Sequence, residues 1–163
     1  MNVRVRLRDL DDADLDTLFD WERHPDAVEM AAFTRADPSD RSAFDAHYAR
    51  VRSDPDVMMR AVDVDGAFVG MIASFTIEGD REITYWIDPS RWGQGLGSAA
   101  LESFLQVEVT RPLWARVAAH NVGSARVLER AGFVRVGTET SYAEGVGREV
   151  VEHICRLTAA DVT

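Results

Sequence analysis

The fold is decided by the stretch Arg91-Trp92-Gly93-Gln94-Gly95-Leu96-Gly97-Ser98, which follows the apolar, aromatic run Tyr85-Trp86-Ile87. That run is typical of a buried strand, whereas Gly97, Leu101 and Leu105 recur at helical spacing. Three glycines therefore occupy a strand-to-helix turn. Glycine lets a ligand approach the main chain closely, and the N–H groups at a helix N-terminus attract anions. The stretch predicts a phosphate site, although a plain sharp turn would use the same glycines.

Two better-known nucleotide-binding patterns do not fit these glycines. The P-loop of nucleoside triphosphatases requires a lysine directly before its Ser or Thr, and Leu96-Gly97-Ser98 has no lysine. The dinucleotide fingerprint requires two residues between its second and third glycines, whereas the spacing here is Gly93-x-Gly95-x-Gly97. The loop alone therefore leaves open an anion site of another kind and a simple turn.

A second motif lies downstream, from Asn121 to Phe133, with the pattern Asn-x-x-Ser-x-x-x-x-Glu-Arg-x-Gly-Phe. Together the two segments resemble the GNAT superfamily of acetyl-CoA-dependent N-acetyltransferases. The pyrophosphate loop of that family, Gln/Arg-x-x-Gly-x-Gly/Ala, is matched from Trp92 to Gly97, with tryptophan where Gln or Arg is usual. That tryptophan, and the serine at 124, look most like the branch of the ribosomal-protein N-terminal serine and alanine acetyltransferases.

The resemblance implies how acetyl-CoA would be held. Backbone N–H groups of residues 93–98 would bind the diphosphate, and the strand around Trp86 would pair its main chain with the pantetheine arm. In the family this strand splays from its neighbour, here Leu113–Ala118, to admit the cofactor. Asn121 would contact the pantetheine, and it is equally suited to cap a helix. The implied acetyl-CoA-binding residues are Trp86, Ile87, Trp92, Gly93, Gln94, Gly95, Leu96, Gly97, Ser98, Asn121 and Ser124.

Catalytic roles are less sharply indicated. Many superfamily members carry a tyrosine as proton donor where this chain has Leu128, and in the resembling branch the serine at position 124 is the proposed donor instead. Several members of the resembling family place a glutamate near the start of the strand before the loop, which makes Glu82 a candidate general base. Glu144, in the Glu144-Gly145-Val146-Gly147 loop, is a second candidate by its position in the resembling branch. Two alternatives stay open. Ser124 is then an ordinary residue of the first helical turn, and Glu82 is a surface carboxylate at the end of a strand. Arg126 and Arg130 are candidates to contact the cofactor's phosphates, although a solvated helix face is the favoured interpretation of both.

The remaining pattern predicts a mixed α/β fold with a mostly antiparallel sheet of about seven strands and about four helices. An alternating strand from Val3 to Leu7 precedes a helix capped by Asp9 or Asp11 and ended by Pro25. Residues 26–37 are expected to be loop with a short helix at most. The resemblance implies that this part of the chain helps to wall the acceptor pocket; Met30 and Phe33 are candidates for lining it, although core packing is the favoured role of either. Further segments follow in order: a helix after Pro38, strands Met58–Val64, Ala67–Ile77 and Glu82–Asp88, the loop helix, strand Leu113–Ala118, helix Ser124–Ala131, and strands near Phe133–Tyr142 and Glu149–Leu157.

Composition limits the class of protein. The 163 residues suit one domain, 1–163, and the formal net charge of −10 argues against a general nucleic-acid binder and favours cationic partners. The single cysteine, Cys155, has no internal partner, no run is long enough to span a bilayer, and a cytoplasmic location is expected. The four histidines show no metal-ligand spacing, so no metal is expected. Dimers are common in the resembling branch, so a homodimer is one expectation.

These observations predict an acetyl-CoA:amine N-acetyltransferase that works by direct attack of a neutral amine on the thioester. The acceptor is a protein N-terminus or a small amine, and the sequence does not decide between them. The alternative is a non-catalytic acyl-CoA-binding sensor, which the leucine at position 128 keeps open.

Overall fold

A computed structural model describes residues 3–159 and begins with the short strand β1 (Arg6–Arg8), followed by helix α1 (Asp12–Glu22). The Asp11 side chain accepts a hydrogen bond from the Asp14 N–H, and the Asp14 carboxylate accepts one from the Asp11 N–H. This capping box satisfies amides that the start of a helix leaves free. Of the two aspartates offered by the sequence the second is the cap, and β1 starts later than the predicted strand.

Pro25 begins a helix instead of only ending one. Helix α2 spans Pro25–Ala31, and its N-cap, His24, accepts a hydrogen bond from the Asp26 N–H. Proline is favoured at the first helical position because its missing N–H would have no intrahelical acceptor there. Residues 3–159 contain five α-helices and one 3-10 turn, and α2 is the short helix that was expected in this part of the chain.

The middle of the chain forms one helix and an antiparallel meander. Helix α3 spans Arg41–Ser53, and the strands are β2 (Met58–Val64), β3 (Ala67–Ile77) and β4 (Asp80–Ile87). The predicted Asp65-Gly66 turn joins β2 to β3, and both of its residues have positive φ, as a two-residue hairpin turn requires.

The rest of the chain completes one seven-stranded sheet. Its elements are α4 (Leu96–Phe104), β5 (Leu113–Ala118), α5 (Val122–Arg130), β6 (Val134–Ala143) and β7 (Arg148–Leu157). The strand order is β1-β2-β3-β4-β5-β7-β6, and every neighbouring pair is antiparallel except β4 and β5. The predicted mixed α/β architecture is confirmed.

Helices cover both faces of the sheet. On one face Leu101 and Phe104 of α4 and Leu128 of α5 pack against the sheet, and on the other Leu18 of α1 and Phe44 of α3 do so. All five side chains are almost fully buried, and burying each contributes about 1.5–3 kcal/mol. Because side chains alternate along a strand, each residue of β4 is committed to one of these two faces.

Strands β4 and β5 pair over only three positions and then part. The pairs are Arg81 with Leu113, Glu82 with Trp114, and Ile83 with Ala115. Beyond them, residues 84–87 continue to pair with β3, and residues 116–118 continue to pair with β7. Main-chain groups that face the gap therefore have no strand partner. The predicted splay is confirmed, and it opens a cleft in the middle of the sheet.

Candidate active site

The glycine loop connects the 3-10 turn Pro89–Arg91 to the start of α4. Gly93 and Gly95 have φ angles of 82° and 79°, which other residues rarely adopt, and a Cβ on either would meet open space. Gly95 is the N-cap of α4, and no side chain caps this helix end. The N–H groups of the first turn of α4 have no intrahelical acceptor. The loop therefore combines unpaired amides with room for an anion.

Ser98 adds a hydroxyl to this helix end. Its Oγ is buried, and within residues 3–159 it has no hydrogen-bond partner. A buried polar atom without a partner costs free energy, which an anion bound at the loop would recover. Arg91, Arg126 and Arg130 line the same cavity, and the last two are also exposed, so phosphate contact and a solvated face both stay open for them. The loop, the hydroxyl and the guanidinium groups together fit a diphosphate.

A cavity of about 750 Å³ occupies the gap between the parted strands. It is lined by β4 from Ile83 to Ile87 and β5 from Ala115 to Ala118, together with parts of α2, α4 and α5. Most of the residues predicted to bind acetyl-CoA lie here: Trp86, Ile87, Trp92, Gly93, Gly95, Leu96, Gly97, Ser98, Asn121 and Ser124. Gln94, Glu82 and Glu144 are not among the lining residues.

Trp92 connects the loop to the end of β4. Its indole Nε1–H donates a hydrogen bond of 3.1 Å to the carbonyl oxygen of Ile87, although much of the ring is exposed. This bond sets the direction in which the chain leaves the strand. The tryptophan that replaces the usual Gln or Arg therefore orients the loop through its own side chain.

Asn121 and Ser124 lie at the start of α5. The Asn121 side chain accepts a hydrogen bond from the Ser124 N–H, so Asn121 is the N-cap, and its amide group also donates to the Met30 carbonyl oxygen. The Ser124 hydroxyl lies 2.6 Å from the hydroxyl of Tyr85 on β4. Burial raises the pKa of Tyr85 to about 12, although the Ser124 hydrogen bond lowers it. Sequence analysis missed this tyrosine, which alternation directs toward α5.

Glu82 lies at the last paired stretch of β4 and β5, beside a cluster of charged residues. Its carboxylate is 3.5 Å from Arg116 Nε, and Arg116 also pairs with Glu139 and Glu152, at 3.2 and 2.9 Å. Burial raises the pKa of Glu82 above its usual value; Arg116 opposes this, and Glu152 and Asp80 reinforce it. Three carboxylates surround one guanidinium, so the cluster is net negative. Arg116 and Glu152 line the cavity, and Glu82 is adjacent to its lining residue Ile83.

The second predicted base, Glu144, is exposed in the loop between β6 and β7. The next residue, Gly145, packs so closely on residues 32–34 that a Cβ there would lie 2.7 Å from the Ala32 carbonyl oxygen. Arg148 of the same hairpin pairs with Glu29 of α2 at 2.5 Å. The hairpin therefore supports α2 and the segment after it, where Met30 of α2 and Phe33 line the cavity.

The free cysteine, the absence of a metal-binding group and the helix lengths concern the described residues 3–159. Burial raises the pKa of the Cys155 thiol, which is free and buried. Across residues 3–159, no group of three or more His, Cys, Asp or Glu side chains is arranged to hold a metal ion. In the same part of the chain, every helix is too short or too polar to cross a membrane.

Known structures share this architecture. Spermidine N-acetyltransferase from Vibrio cholerae, in complex with CoA and spermine, has a TM-score of 0.81 at 17% identity, with 97% of each chain covered. Mycobacterium smegmatis RimJ, in complex with CoA-disulfide, has a TM-score of 0.80 at 23% identity, covering 98% of this chain and 86% of that one. AAC(6')-Ib, in complex with ribostamycin and coenzyme A, has a TM-score of 0.74 at 22% identity, covering 97% and 95%.

The sequence itself decides the family. No curated protein matches the chain significantly. The model of the acetyltransferase (GNAT) domain matches residues 4–134, which is well over half of the chain. With the parted strands and the glycine loop in place, the protein belongs to the GNAT family of N-acetyltransferases.

Proposed function

We propose that this protein transfers the acetyl group of acetyl-CoA to a primary amine in a ternary complex. The observation that carries the proposal is the cavity between the parted strands, with the uncapped start of α4 at one end and the charged cluster of Glu82, Arg116, Glu139 and Glu152 nearby. Acetyl-CoA supplies the activated acetyl group as a thioester. The amides of residues 93–98 and the Ser98 hydroxyl hold its diphosphate, and free main-chain groups of residues 84–87 pair with its pantetheine arm.

Different residues of the cleft stabilise the thioester carbonyl, deprotonate the amine and stabilise the leaving sulfur. An N–H of residues 85–87 that faces the gap polarises the thioester carbonyl, which is an oxyanion-hole role. Glu82 removes a proton from the amine directly or through water, and burial keeps its pKa raised toward the range a base needs. Ser124 donates a hydrogen bond to the departing sulfur. Glu144 is the weaker candidate for the base because it lies exposed in the loop between β6 and β7, whereas Glu82 is half-buried beside the lining residue Ile83.

The acceptor is a cationic amine. The charged cluster carries three carboxylates for one guanidinium and lies at the closed end of the gap, and the whole chain has a formal net charge of −10. Spermine and ribostamycin, which are polycationic amines, accompany CoA in two of the similar structures. A protein N-terminus is the acceptor that the ribosomal-protein branch would predict. Both kinds of acceptor present a primary ammonium group to Glu82.

A second candidate is a sensor that binds acyl-CoA without turnover. Leu128 favours it, because this buried leucine lines the cavity. The resemblance implies that many members of the superfamily carry a proton-donating tyrosine at this position. Such a protein would bind acetyl-CoA in the cleft without transferring the acetyl group.

Thiol release from acetyl-CoA, measured across a panel of polyamines, aminoglycosides and N-terminal peptides, separates the two candidates. The acetyltransferase predicts release with at least one cationic amine, and Ser124→Ala should lower kcat more than it weakens acetyl-CoA binding. Tight binding of acetyl-CoA without thiol release from any acceptor would favour the sensor.

A further inference from the structure

Two hydroxyl groups from distant parts of the chain meet inside the cavity. Tyr85 Oη and Ser124 Oγ are 2.6 Å apart, and both residues line the cleft between the parted strands. Tyr85 lies on the α5 face of β4, and the Asn121 cap fixes the first turn of α5, which carries Ser124. A Cβ on Gly97 would make an ordinary contact of 3.9 Å with the Tyr85 ring, so the ring lies beside the start of α4 as well as beside α5.

The two hydroxyls carry two protons, and their mutual hydrogen bond uses only one of them. For neither oxygen does the described part of the chain provide another side-chain partner. One proton is therefore left to point into the cavity, whichever group donates in the pair. The first proton also polarises the second, because hydrogen bonds in a chain strengthen one another.

Other hydroxyls in the cavity are less well placed for the leaving sulfur. Ser98 Oγ lies in the first turn of α4, at the anion site, and Thr34 lies in the segment after α2. Thr84 is on the opposite face of β4 from Tyr85, since alternate residues of a strand face opposite sides. Leu128, one turn after Ser124 on α5, has no hydroxyl. The Tyr85–Ser124 pair is therefore the hydroxyl donor best placed for the leaving sulfur, between β4 and α5.

We propose that Tyr85 is a positioning residue, which holds the Ser124 hydroxyl so that the pair acts as one hydrogen-bond donor to the departing sulfur. This inference rests on the proposed acetyl transfer. As the amine nitrogen bonds to the acetyl carbon, the carbon–sulfur bond breaks and its electron pair moves to sulfur, where the hydroxyl pair stabilises the charge. The ammonium group releases one proton to solvent through Glu82 before it attacks, and the nitrogen loses a second proton by the same route as the amide forms. The departing thiolate gains one proton from solvent, so the reaction releases one proton overall. Both hydroxyls keep their protons over the whole cycle.

The direct test is Tyr85→Phe, which keeps the ring and removes the hydroxyl. The kcat should fall about tenfold, while the Kd of acetyl-CoA stays within about twofold, because the loss affects a bond to a charge that develops only during reaction. The double variant Tyr85→Phe/Ser124→Ala should be no slower than Ser124→Ala alone, since groups that act as a unit are not additive. Ser124→Thr, which keeps a hydroxyl, should retain more activity than Ser124→Ala. Tyr142→Phe, on exposed β6, is the matched control and should change nothing.

A second readout does not depend on turnover. The thiol of bound CoA should be about tenfold more acidic in the wild type than in Tyr85→Phe or Ser124→Ala, because the pair stabilises the thiolate. The ultraviolet absorbance of the thiolate, followed against pH in the complex with CoA, measures this. Equal thiol acidity in wild type and both variants, or a Tyr85→Phe enzyme with wild-type kcat, would overturn the inference. A wild type that binds CoA and acetylates nothing would overturn the proposed function, and the thiol titration would still decide whether the pair donates to sulfur.

Discussion

Glu82 Oε1 lies 3.5 Å from Arg116 Nε, across the two strands at the point where their pairing ends. Beyond this contact β4 and β5 diverge and the cavity begins. The Glu82 side chain is largely shielded from water, yet it lies beside the gap that opens where β4 and β5 stop pairing. The contact therefore links the architecture of the cleft to its acid–base chemistry.

Replacing Glu82 tests that link. Glu82→Gln should lower kcat about a hundredfold, because general base catalysis contributes roughly 10²–10⁴-fold. Since burial raises the pKa of Glu82, the wild-type rate should decline as the pH falls through that raised value, and the variant should lack this acidic limb. A carboxyl group whose pKa is raised on folding stabilises the folded state at low pH, and this contribution is lost as the pH rises through the folded pKa. Near neutral pH, Glu82→Gln should therefore unfold at the same temperature as the wild type or at a higher one.

The matched control for this prediction is Glu139→Gln. Glu139 pairs with the same guanidinium but is exposed on β6. Its loss should change kcat by less than about twofold, because surface ion pairs contribute little. If both variants lose the same activity, Glu82 serves only to neutralise Arg116, and the base lies elsewhere.

Arg8 should dominate the acid stability of the N-terminal region. Its guanidinium donates to Asp14 at 2.7 Å and to Asp63 at 2.8 Å, which ties α1 to β2. Arg8→Met should lower the free energy of unfolding at pH 7 by about 2 kcal/mol, because it leaves two largely buried carboxylates without their cation. Arg23→Met, which breaks an exposed pair with Asp20, should cost no more than about 0.5 kcal/mol.

The difference between wild type and Arg8→Met should also depend on pH. Burial alone would raise the pKa of Asp14, but hydrogen bonds from Arg8 and from the Asp11 backbone outweigh it and lower the pKa below 3.8. The ionised carboxylate therefore stabilises the fold above its unfolded pKa, and this contribution is lost as the pH falls through the folded value. Urea unfolding at pH 7 and below pH 4 measures the difference. A gap of the same size at both pH values would contradict this assignment.

The hairpin that carries Gly145 should control the acceptor side of the cleft. Gly145→Ala would place a Cβ against the carbonyl oxygen of Ala32 and against Thr34, so the segment after α2 must shift. We expect the acceptor KM to rise about tenfold while the Kd of acetyl-CoA stays unchanged, since displacements of about 1 Å impair substrate positioning. Gly137→Ala, whose Cβ would make an ordinary 3.9 Å contact with Ile154, is the control. Equal acceptor KM values in the two variants would show that the hairpin does not shape the acceptor site.

Local chemistry explains what the sequence could predict. The glycine loop and the Asp65-Gly66 turn could be predicted because the backbone preferences of their residues are local and do not depend on the rest of the chain. Alternation along β4 also places Tyr85 and Trp86 on opposite faces of the sheet, and their packing in separate clusters agrees with this. Pro25 was misinterpreted because proline both ends one helix and begins another, and neighbouring residues alone do not distinguish the two.

Contacts between distant strands explain what the sequence could not predict. Tyr85 and Ser124 are 39 residues apart, and their contact depends on the register of β4 and on the direction of α5. The partners of Arg116 come from three different strands, β4, β6 and β7. Such side chains have no spacing signature, because the sheet order that unites them is set by the packing of the whole domain.

Acetyl-CoA titration by calorimetry tests the central claim most directly, with wild type, Gly95→Arg and Gly79→Arg compared. Gly95 and Gly79 have similar φ angles, 79° and 87°, and open space at Cβ, but Gly79 lies in the β3–β4 turn at the other end of β4. Gly95→Arg should weaken acetyl-CoA binding at least about a hundredfold, or about 2.8 kcal/mol, because its side chain fills the anion site. Gly79→Arg should bind like wild type. Wild-type affinity in Gly95→Arg, or an equal loss in Gly79→Arg, would contradict the assignment of the glycine loop to the diphosphate.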